Sequence, residues 1–239
     1  MKTIDFEKLY PAGGLYHGVD DDLYYKDTTR WTTTATDSGA ATAADAACGV
    51  VALVPSDGTV ADNDEIYLLL SKETFLFADD KPIIAECRLK WTEANTDDAN
   101  VAFGLMDAVG ADSILDNGGG PKASYSGAVF FKIDGETVWQ VENSLGSTQK
   151  TTKLDAAGSI TKDAITASGG SYQTLRIEWR PKTSTKADVL FFVDDVLVAK
   201  HVDQVYTSAT EMTLFVGAKN GSANNESISV DRILAVQKR

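Results

Sequence analysis

Residues 172–202 read YQTLRIEWRPKTSTKADVLFFVDDVLVAKHV, and this stretch decides the fold class. Its first part carries apolar side chains at Leu175, Ile177 and Trp179, with polar or charged residues at the positions between them. A period of two is that of a β-strand with one buried face and one wet face. The first part of the stretch therefore predicts a half-buried strand.

The rest of the stretch predicts two more strands joined by short turns. Pro181 has no backbone donor and the polar run 182–186 has no period, so the chain is predicted to turn there. Alternation resumes in 189–193, and Asp194-Asp195 predicts a two-residue hairpin turn into residues 196–199, although Asn-Gly or Asp-Gly is the commoner choice. The whole stretch predicts a three-stranded antiparallel meander.

Two further hairpins are predicted upstream. Residues 83–91 alternate cleanly and are followed, after a polar loop, by apolar positions in 101–105, so these two strands are predicted to pair. Residues 128–133 and 137–141 flank Asp134-Gly135, a dipeptide that fits a type I′ turn directly. Roughly a dozen strands, with turn signals about every 8–12 residues, are typical of a two-sheet sandwich or barrel.

Two segments lack the period of a strand. Residues 37–47 are small and polar and predict a loop. Residues 107–120 are the one place where a helical turn is predicted, ended by the glycine triplet 118–120. This glycine run lacks the strand-to-helix context of a phosphate-binding loop, which argues against nucleotide binding.

Length and charge limit the class of protein. We predict a single sandwich domain over 31–239 and an irregular N-terminal arm over 1–30, because 239 residues suffice for one large all-β domain without metals or disulfides. The formal charge of −13, from 22 Lys and Arg against 35 Asp and Glu, argues against nucleic-acid or membrane partners. No window reaches the roughly 18 apolar residues of a membrane span and no secretory segment is evident, so synthesis in the cytoplasm without export is expected.

Cysteine and histidine offer little chemistry. Cys87 alternates with apolar neighbours and is predicted to be a small core residue, and Cys48 and Cys87 are expected to stay reduced. His17 and His201 are the only histidines, which leaves little material for a catalytic dyad or a zinc site.

The meander, an apolar-x-I-x-W strand followed by x-F-x-V-D-D-V-L-V, resembles the equivalent meander of concanavalin A-like sandwiches, the architecture of lectins, laminin-G domains and glucanases. The segment 228–236, ISVDRILAV, is similar to the final strand of that fold. The resemblance implies an all-β protein with a two-sheet antiparallel jelly roll. It speaks for fold rather than function, because such motifs are structural.

The glucanase branch of that architecture carries acidic residues at alternate positions of one strand, as in E-x-D-x-E. The carboxylates then share a face and act as nucleophile and as acid and base. No such strand is found, and the pairs Asp79-Asp80, Asp97-Asp98 and Asp194-Asp195 are neighbours at predicted turns. We therefore predict no catalytic residues and no enzyme activity, and a degenerate glycosidase is the weakest of three functional hypotheses.

No cofactor is predicted, with calcium as the alternative. Asp62, Asn63, Asp64, Glu65 and the run 20–22 supply oxygen ligands, but neither set has the spacing of a known calcium loop. Solvated acidic turns are the simpler interpretation.

Sugar binding would use an exposed aromatic side chain beside amide and acidic groups. Trp31, Trp91, Trp139 and Trp179 are the candidates. Trp91, Trp139 and Trp179 share their strand faces with apolar neighbours, so the pattern favours the core for these three.

Most of the chain also resembles small jelly-roll proteins of tailed bacteriophages and prophages. The segments that carry this resemblance are RWTTTATDSGAATAADAACGVVAL, EANTDDANVAFGLMDA, GGGPKASYSGAVFFKIDG and SATEMTLFVGAKNG. The resemblance implies a virion structural protein, such as a decoration protein on the capsid surface with the major capsid protein as partner. The alternative hypothesis is a carbohydrate-binding, lectin-like module that recognises surface glycans.

The aromatic residues of the arm are the candidate partner-binding residues. Tyr10, Tyr16, Tyr24 and Tyr25 offer large contact area at low entropic cost, as aromatic side chains do at interfaces. A homo-oligomer is expected, and a trimer would suit the threefold positions of an icosahedral shell. The other interpretation of the arm is a terminal segment that packs on its own sandwich.

Overall fold

The computed structural model describes residues 16–21, 29–44, 49–91, 93, 97–167 and 169–238. These residues form strands and no helix, so this part of the chain has no helix long and apolar enough to span a membrane. The strands are β1 (Tyr16–Asp21), β2 (Trp31–Ala35), β3 (Ser38–Ala44), β4 (Val50–Ser56), β5 (Glu65–Leu70), β6 (Phe75–Phe77), β7 (Ile83–Trp91), β8 (Ala99–Met106), β9 (Gly127–Lys132), β10 (Gln140–Leu145), β11 (Thr148–Lys153), β12 (Gln173–Thr183), β13 (Lys186–Val193), β14 (Val196–Val205), β15 (Thr210–Asn220) and β16 (Ile228–Lys238).

The strands make two antiparallel sheets that face each other. Sheet A has the order β14-β13-β12-β7-β16-β4-β3, with β1 paired to β16. Sheet B has the order β11-β10-β9-β8-β15-β5-β2, with β6 paired to β15. The inward side chains of both sheets form one continuous apolar core, and the predicted two-sheet sandwich is confirmed.

The core contains the residues that the alternation assigned to it. Cys87 has no exposed surface, and the tryptophans are 1% (Trp31), 2% (Trp91), 0% (Trp139) and 2% (Trp179) exposed. Trp179 stacks on Phe77 with ring centroids 3.7 Å apart. The predicted core positions of Cys87 and of three tryptophans are therefore confirmed, and Trp31 joins them.

The meander forms as β12, β13 and β14. Asp194 and Asp195 have φ of 49° and 68° and join the paired residues Val193 and Val196, as a two-residue turn requires. The first turn lies later than predicted, because β12 continues through Pro181 until Thr183 pairs with Lys186. The register shifts between Pro181 and Thr183, and a bulge of this kind is where a sheet tolerates proline.

The predicted hairpin of 83–91 with 101–105 is wrong. β7 lies in sheet A between β12 and β16, whereas β8 lies in sheet B between β9 and β15. Each strand turns an alternating set of apolar side chains toward the core, and such a set is buried equally well by strands that pair and by strands that lie opposite each other across a core. Alternation therefore predicted both strands but not their partners.

The second predicted hairpin exists with a longer connection. β9 and β10 pair, but the last paired residues are Phe131 and Gln140, so Asp134-Gly135 is part of a longer loop and not a two-residue turn. Gly135 has the positive φ expected of this position, 75°, and its N–H donates to the carbonyl of Asp97 at 3.0 Å. The contact with another loop replaces the tight turn.

Two loop predictions need correction. Within 37–47, residues 38–44 form β3, an edge strand whose backbone pairs with β4. Its small side chains stay mostly exposed. The segment 107–120 forms isolated turns and no helix. Ser113 and Gly119 donate to carbonyls three residues earlier, while the N–H groups of Asp112 and Ile114 bond to side chains of β5 instead of continuing a helix.

Part of the predicted arm belongs to sheet A. β1 pairs antiparallel with β16, from Tyr16 opposite Lys238 to Asp21 opposite Ile233. This strand had no signal in the sequence, since residues 16–21 do not alternate. It agrees with the interpretation that the arm packs on its own sandwich.

Candidate functional site

The middle of the outer face of sheet B is covered by residues 107–126, which we call the cover segment. Tyr67 and Phe215 point outward from β5 and β15 and form a second apolar cluster with Ile114 and Tyr125 of the cover segment. These four side chains are at most 2% exposed. The cover segment therefore leaves the two ends of this face as the places where a ligand can approach.

Gly217 allows the ring of Tyr67 to reach the sheet. A Cβ atom at position 217 would lie 2.2 Å from Cδ1 of Tyr67, which is too close for any side chain. The Tyr67 ring then meets the Phe215 ring edge to face, with centroids 6.1 Å apart.

Lys219 at the end of β15 fastens the cover segment to sheet B. Its Nζ lies 3.3 Å from Oε2 of Glu65, 3.0 Å from Oδ1 of Asp112 and 2.5 Å from Oδ1 of Asp116. It also donates to the carbonyl of Ile114 at 3.0 Å. The side chains of Lys219 and Glu65 are each 1% exposed, whereas those of Asp112 and Asp116 are 62% and 51% exposed. The two aspartates therefore close over a buried ammonium from the solvent side.

Glu65 and Tyr67 complete this attachment. Oε1 of Glu65 accepts the N–H of Asp112 at 2.9 Å, and the Tyr67 hydroxyl donates to Oε2 of Glu65 at 2.8 Å and accepts the N–H of Ile114 at 3.0 Å. Burial and the charge of Glu65 raise the pKa of Tyr67 well above its usual value. Burial alone would lower the pKa of Lys219, but hydrogen bonds to the two aspartates and the charge of Glu65 outweigh it and raise that pKa. The ammonium is therefore held in its charged form.

Four loops meet at the same end of sheet B, and we call the surface they form the Asp134 platform. Its residues are 97–98, 117–119, 134–135 and 221–222. The N–H of Asp134 donates to Oδ1 of Asn100 at 2.9 Å, and the Ser222 hydroxyl donates to Oδ2 of Asp98 at 2.7 Å. A Cβ atom at Gly221 would lie 2.2 Å from the carbonyl oxygen of Asp98 and 2.8 Å from Cβ of Asp134. The loops therefore touch directly, and glycine makes that approach possible.

The carboxylate of Asp134 is the distinctive group of the platform. The residue is half-buried, yet no side chain in the described ranges donates a hydrogen bond to this carboxylate. Its pKa is raised, first by burial and then by the neighbouring charges of Asp98 and Asp62, while the charge of Lys132 and a backbone hydrogen bond from Gly135 oppose the rise. Asn117, across the platform, is exposed. The platform thus offers acceptor oxygens that no side chain within the described ranges uses.

The opposite end of the face carries an open cleft of about 300 Å³. Its lining combines apolar Leu69 and Val109 with charged Lys72, Glu73 and Asp107. The hydroxyl of another lining residue, Thr213, already donates to the carbonyl of Leu70 at 3.1 Å.

The candidate partner-binding tyrosines fall mostly outside the described residues. Tyr10, Tyr24 and Tyr25 lie there, while Tyr16 begins β1. Their role in attachment stays a prediction, as does the boundary between arm and domain at residue 30.

The calcium alternative meets carboxylates that are already engaged. Asp64 accepts the Ser56 hydroxyl at 2.6 Å and the N–H of Ala61 at 2.8 Å, and Glu65 is bound to Lys219. Residues 20–21 lie in β1, and residue 22 is outside the described ranges. No three His, Cys, Asp or Glu side chains within the described residues are grouped to hold a metal.

Burial rules out sugar stacking on the four candidate tryptophans, since all of them lie in the core. Lys219 and Asp134 were not predicted as site residues from the sequence. The alternation of Met212, Leu214 and Val216 extends, two residues on, to Ala218, which would have placed Lys219 on the outward face of the same strand. No pattern within the chain pointed to the meeting of loops at Asp134, because that contact joins residues far apart in sequence.

Comparisons with known proteins agree on the architecture. No protein-family model and no curated protein matches the chain. Among solved structures, the carbohydrate recognition domain of Emp47p aligns over 90% of this chain and 92% of its own, with a TM-score of 0.57 and 15% identity. The fold is a concanavalin A-like jelly roll.

Two other structures show how wide this likeness is. The potassium-bound carbohydrate recognition domain of Emp46p aligns over 90% of this chain and 94% of its own, with a TM-score of 0.56 and 14% identity. An endo-β-1,4-glucuronan lyase from the fungus Trichoderma reesei aligns over 91% and 94%, with a TM-score of 0.59 and 9% identity. At such identities the likeness shows the fold alone. The expected likeness to lectins is confirmed, and nothing in these comparisons supports the likeness to phage capsid proteins.

Proposed function

We propose that the protein is a non-catalytic, lectin-like carbohydrate-binding module whose binding surface is the Asp134 platform. The observation that carries the proposal is the half-buried carboxylate of Asp134, which no side chain in the described part of the chain satisfies with a hydrogen bond. The carboxylate is partly exposed, so a ligand that brings donors can reach its oxygens and form charge-assisted hydrogen bonds with them.

Sugar hydroxyls are donors of the required kind. Hydrogen bonds to an ionised carboxylate are roughly twice as strong as those between neutral groups, and Asp62, Asp98 and Asp134 lie close enough for their charges to interact. The chain has a net charge of −13, which disfavours acidic polysaccharides. A neutral, hydroxyl-rich glycan is therefore the ligand class.

The platform is built to bind without rearrangement. Two of its loops are joined by the bond from the N–H of Gly135 to the carbonyl of Asp97, and a third is held by the bond from the N–H of Asn117 to Oδ1 of Asn63, outside the platform, at 3.3 Å. A preformed site loses less entropy when it binds. The carbohydrate recognition domains of Emp46p and Emp47p have the same fold, which supports the proposal at the level of fold.

The outer face of sheet B supports the absence of catalysis. One of its buried acids, Glu65, is paired with Lys219. Another, Glu142, is 4% exposed and accepts hydrogen bonds from Tyr125 and Gln149, each at 2.9 Å, and from Thr151. Burial raises the pKa of Glu142 and these three bonds oppose the rise. The carboxylate is thus used inside the protein, whereas a glycosidase needs two carboxylates free on either side of the scissile bond.

The capsid-decoration hypothesis, with its virion location, its capsid partner and its trimer, stays a prediction. No contact in the described residues favours it over glycan binding.

Glycan-array screening followed by calorimetry on the best neutral ligand tests the proposal. Asp134→Asn keeps the shape of the side chain and removes its charge, so the affinity is expected to fall about 10-fold or more, as the loss of a charge-assisted bond implies. Asp163→Asn, on an exposed loop elsewhere, is the matched control and is expected to bind like the unmodified protein. The proposal fails if no neutral glycan binds, or if both variants bind equally well.

A further inference from the structure

The surroundings of Lys219 are those of a bound cation. Four oxygen atoms from sheet B and the cover segment converge on its Nζ at 2.5–3.3 Å, and three of them are carboxylate oxygens. The ammonium is the single positive group among them, and the lysine side chain is 1% exposed. Such a set exceeds the one partner that an ordinary surface ion pair contains.

We propose that the Lys219 ammonium is a tethered monovalent cation that holds the cover segment in place, and that the same oxygen set binds a free potassium or ammonium ion once the lysine side chain is removed. The inference rests on the proposed function only in that residues 117–119 of the cover segment belong to the Asp134 platform. The Lys219 ammonium would then hold residues 117–119 of the Asp134 platform in position without a metal ion.

The distances favour a large monovalent ion over calcium. Calcium–oxygen bonds are about 2.3–2.6 Å long, whereas three of the four oxygens lie 3.0–3.3 Å from Nζ. The oxygens come from two segments, Glu65 from β5, and Asp112, Ile114 and Asp116 from the cover segment. Hydrogen bonds from the N–H groups of Asp112 and Ile114 also join these segments, but they leave the carboxylate charges unbalanced. Without a cation the three carboxylates repel one another. A cation at their centre attracts all three and so holds the cover segment on β5.

Removal of the lysine side chain takes away one positive charge and leaves the space that the side chain filled. In Lys219→Ala, three carboxylates remain around an empty stem channel, with Glu65 buried and uncompensated. A potassium or ammonium ion fits that vacancy, while choline is too large to enter. Lys219→Met is the matched control, because it removes the charge but fills the channel with an apolar stem of similar length.

The experiment compares the unmodified protein, Lys219→Ala and Lys219→Met in potassium, ammonium and choline chloride at equal ionic strength. The readouts are hydrogen exchange in residues 107–120 and the thermal unfolding midpoint. The unmodified protein is expected to be indifferent to the cation. Lys219→Ala is expected to exchange at least tenfold faster in choline and to recover most of that loss in potassium or ammonium, with a midpoint that rises with cation concentration. In Lys219→Met, hydrogen exchange in residues 107–120 is expected to stay fast in every salt.

Two results would overturn the inference. One is protection of the cover segment in Lys219→Ala that already equals that of the unmodified protein in choline. The other is equal recovery in choline and potassium, which is an effect of ionic strength alone. If Lys219→Ala does not fold in choline, its refolding yield becomes the readout: a yield restored by potassium supports the inference, and no yield in any salt rejects it. None of these readouts involves a glycan, so failure of the proposed function is recorded separately.

Discussion

His201 is expected to make the stability of the protein fall in mild acid. The residue lies in β14 of sheet A and is 1% exposed, and its ring bridges to sheet B. Nδ1 donates to Oδ1 of Asn143 in β10 at 2.5 Å, and Nε2 accepts the hydroxyl of Thr152 in β11 at 2.9 Å. Both ring nitrogens are thus satisfied in the neutral form, and a proton would add a charge inside the sandwich.

The structure sets the size and sign of the effect. Burial, with a smaller effect from Lys150, lowers the pKa of His201 from 6.5 to about 4. A histidine with a lowered folded pKa contributes nothing above pH 6.5 and destabilises the fold progressively as the pH falls from 6.5 toward 4. At about 1.36 kcal/mol for each pKa unit, the full loss is about 3 kcal/mol, of which about 2 kcal/mol appears between pH 7 and pH 5.

Urea unfolding at pH 7 and pH 5 measures this loss. His201→Gln removes the titrating group and keeps polar atoms in the bridge. Between pH 7 and pH 5 this variant is therefore expected to lose about 2 kcal/mol less of its free energy of unfolding than the unmodified protein loses. The subtraction cancels the carboxylates that both proteins share. The reasoning is refuted if the two proteins lose the same stability, or if an NMR titration finds the His201 pKa near 6.5 in the folded state.

Three further outcomes are expected. Gly217→Ala should lower stability by about 1–3 kcal/mol through collision with the Tyr67 ring, whereas Gly170→Ala, with open space around it, should be neutral; equal unfolding midpoints would contradict this. Burial raises the pKa of the Cys87 thiol well above its usual value, so a thiol reagent should modify Cys87 only after denaturation, and rapid labelling of the native protein would be inconsistent with the fold. Deletion of residues 1–25 removes β1 from its place beside β16 and should lower the unfolding midpoint by several degrees; an unchanged midpoint would show that β1 adds nothing to the stability of sheet A.

The sequence predicted strands well and strand partners poorly. Alternation in the meander and around Cys87 marked buried faces correctly, because the side-chain period of a strand is a local property. The hairpin of β7 with β8 failed because two apolar faces can meet either within a sheet or across a core. β1 and β3 were missed because β1 has no alternating pattern and β3 consists of small residues. They are strands because their backbones pair with β16 and β4, and the sequence of each segment does not show that pairing.

The candidate site was beyond sequence reasoning for a related reason. Glu65, Asp112 and Lys219 are separated by up to 154 positions in the chain, and each alone looks like a surface charge or a turn residue. Asp134 was assigned to a tight hairpin turn because Asp-Gly favours one locally. The contact of Gly135 with the loop at Asp97 decided otherwise.

Glycan binding at the Asp134 platform can be located by mapping amide chemical shifts during titration with the tightest neutral glycan from the array. The largest shifts are expected in residues 97–100, 117–119, 134–136 and 221–222, and they are expected to disappear in Asp134→Asn at the same glycan concentration. Shifts confined instead to the cleft around residues 69–73 and 107–109 would contradict it and move the binding surface to the other end of the sheet.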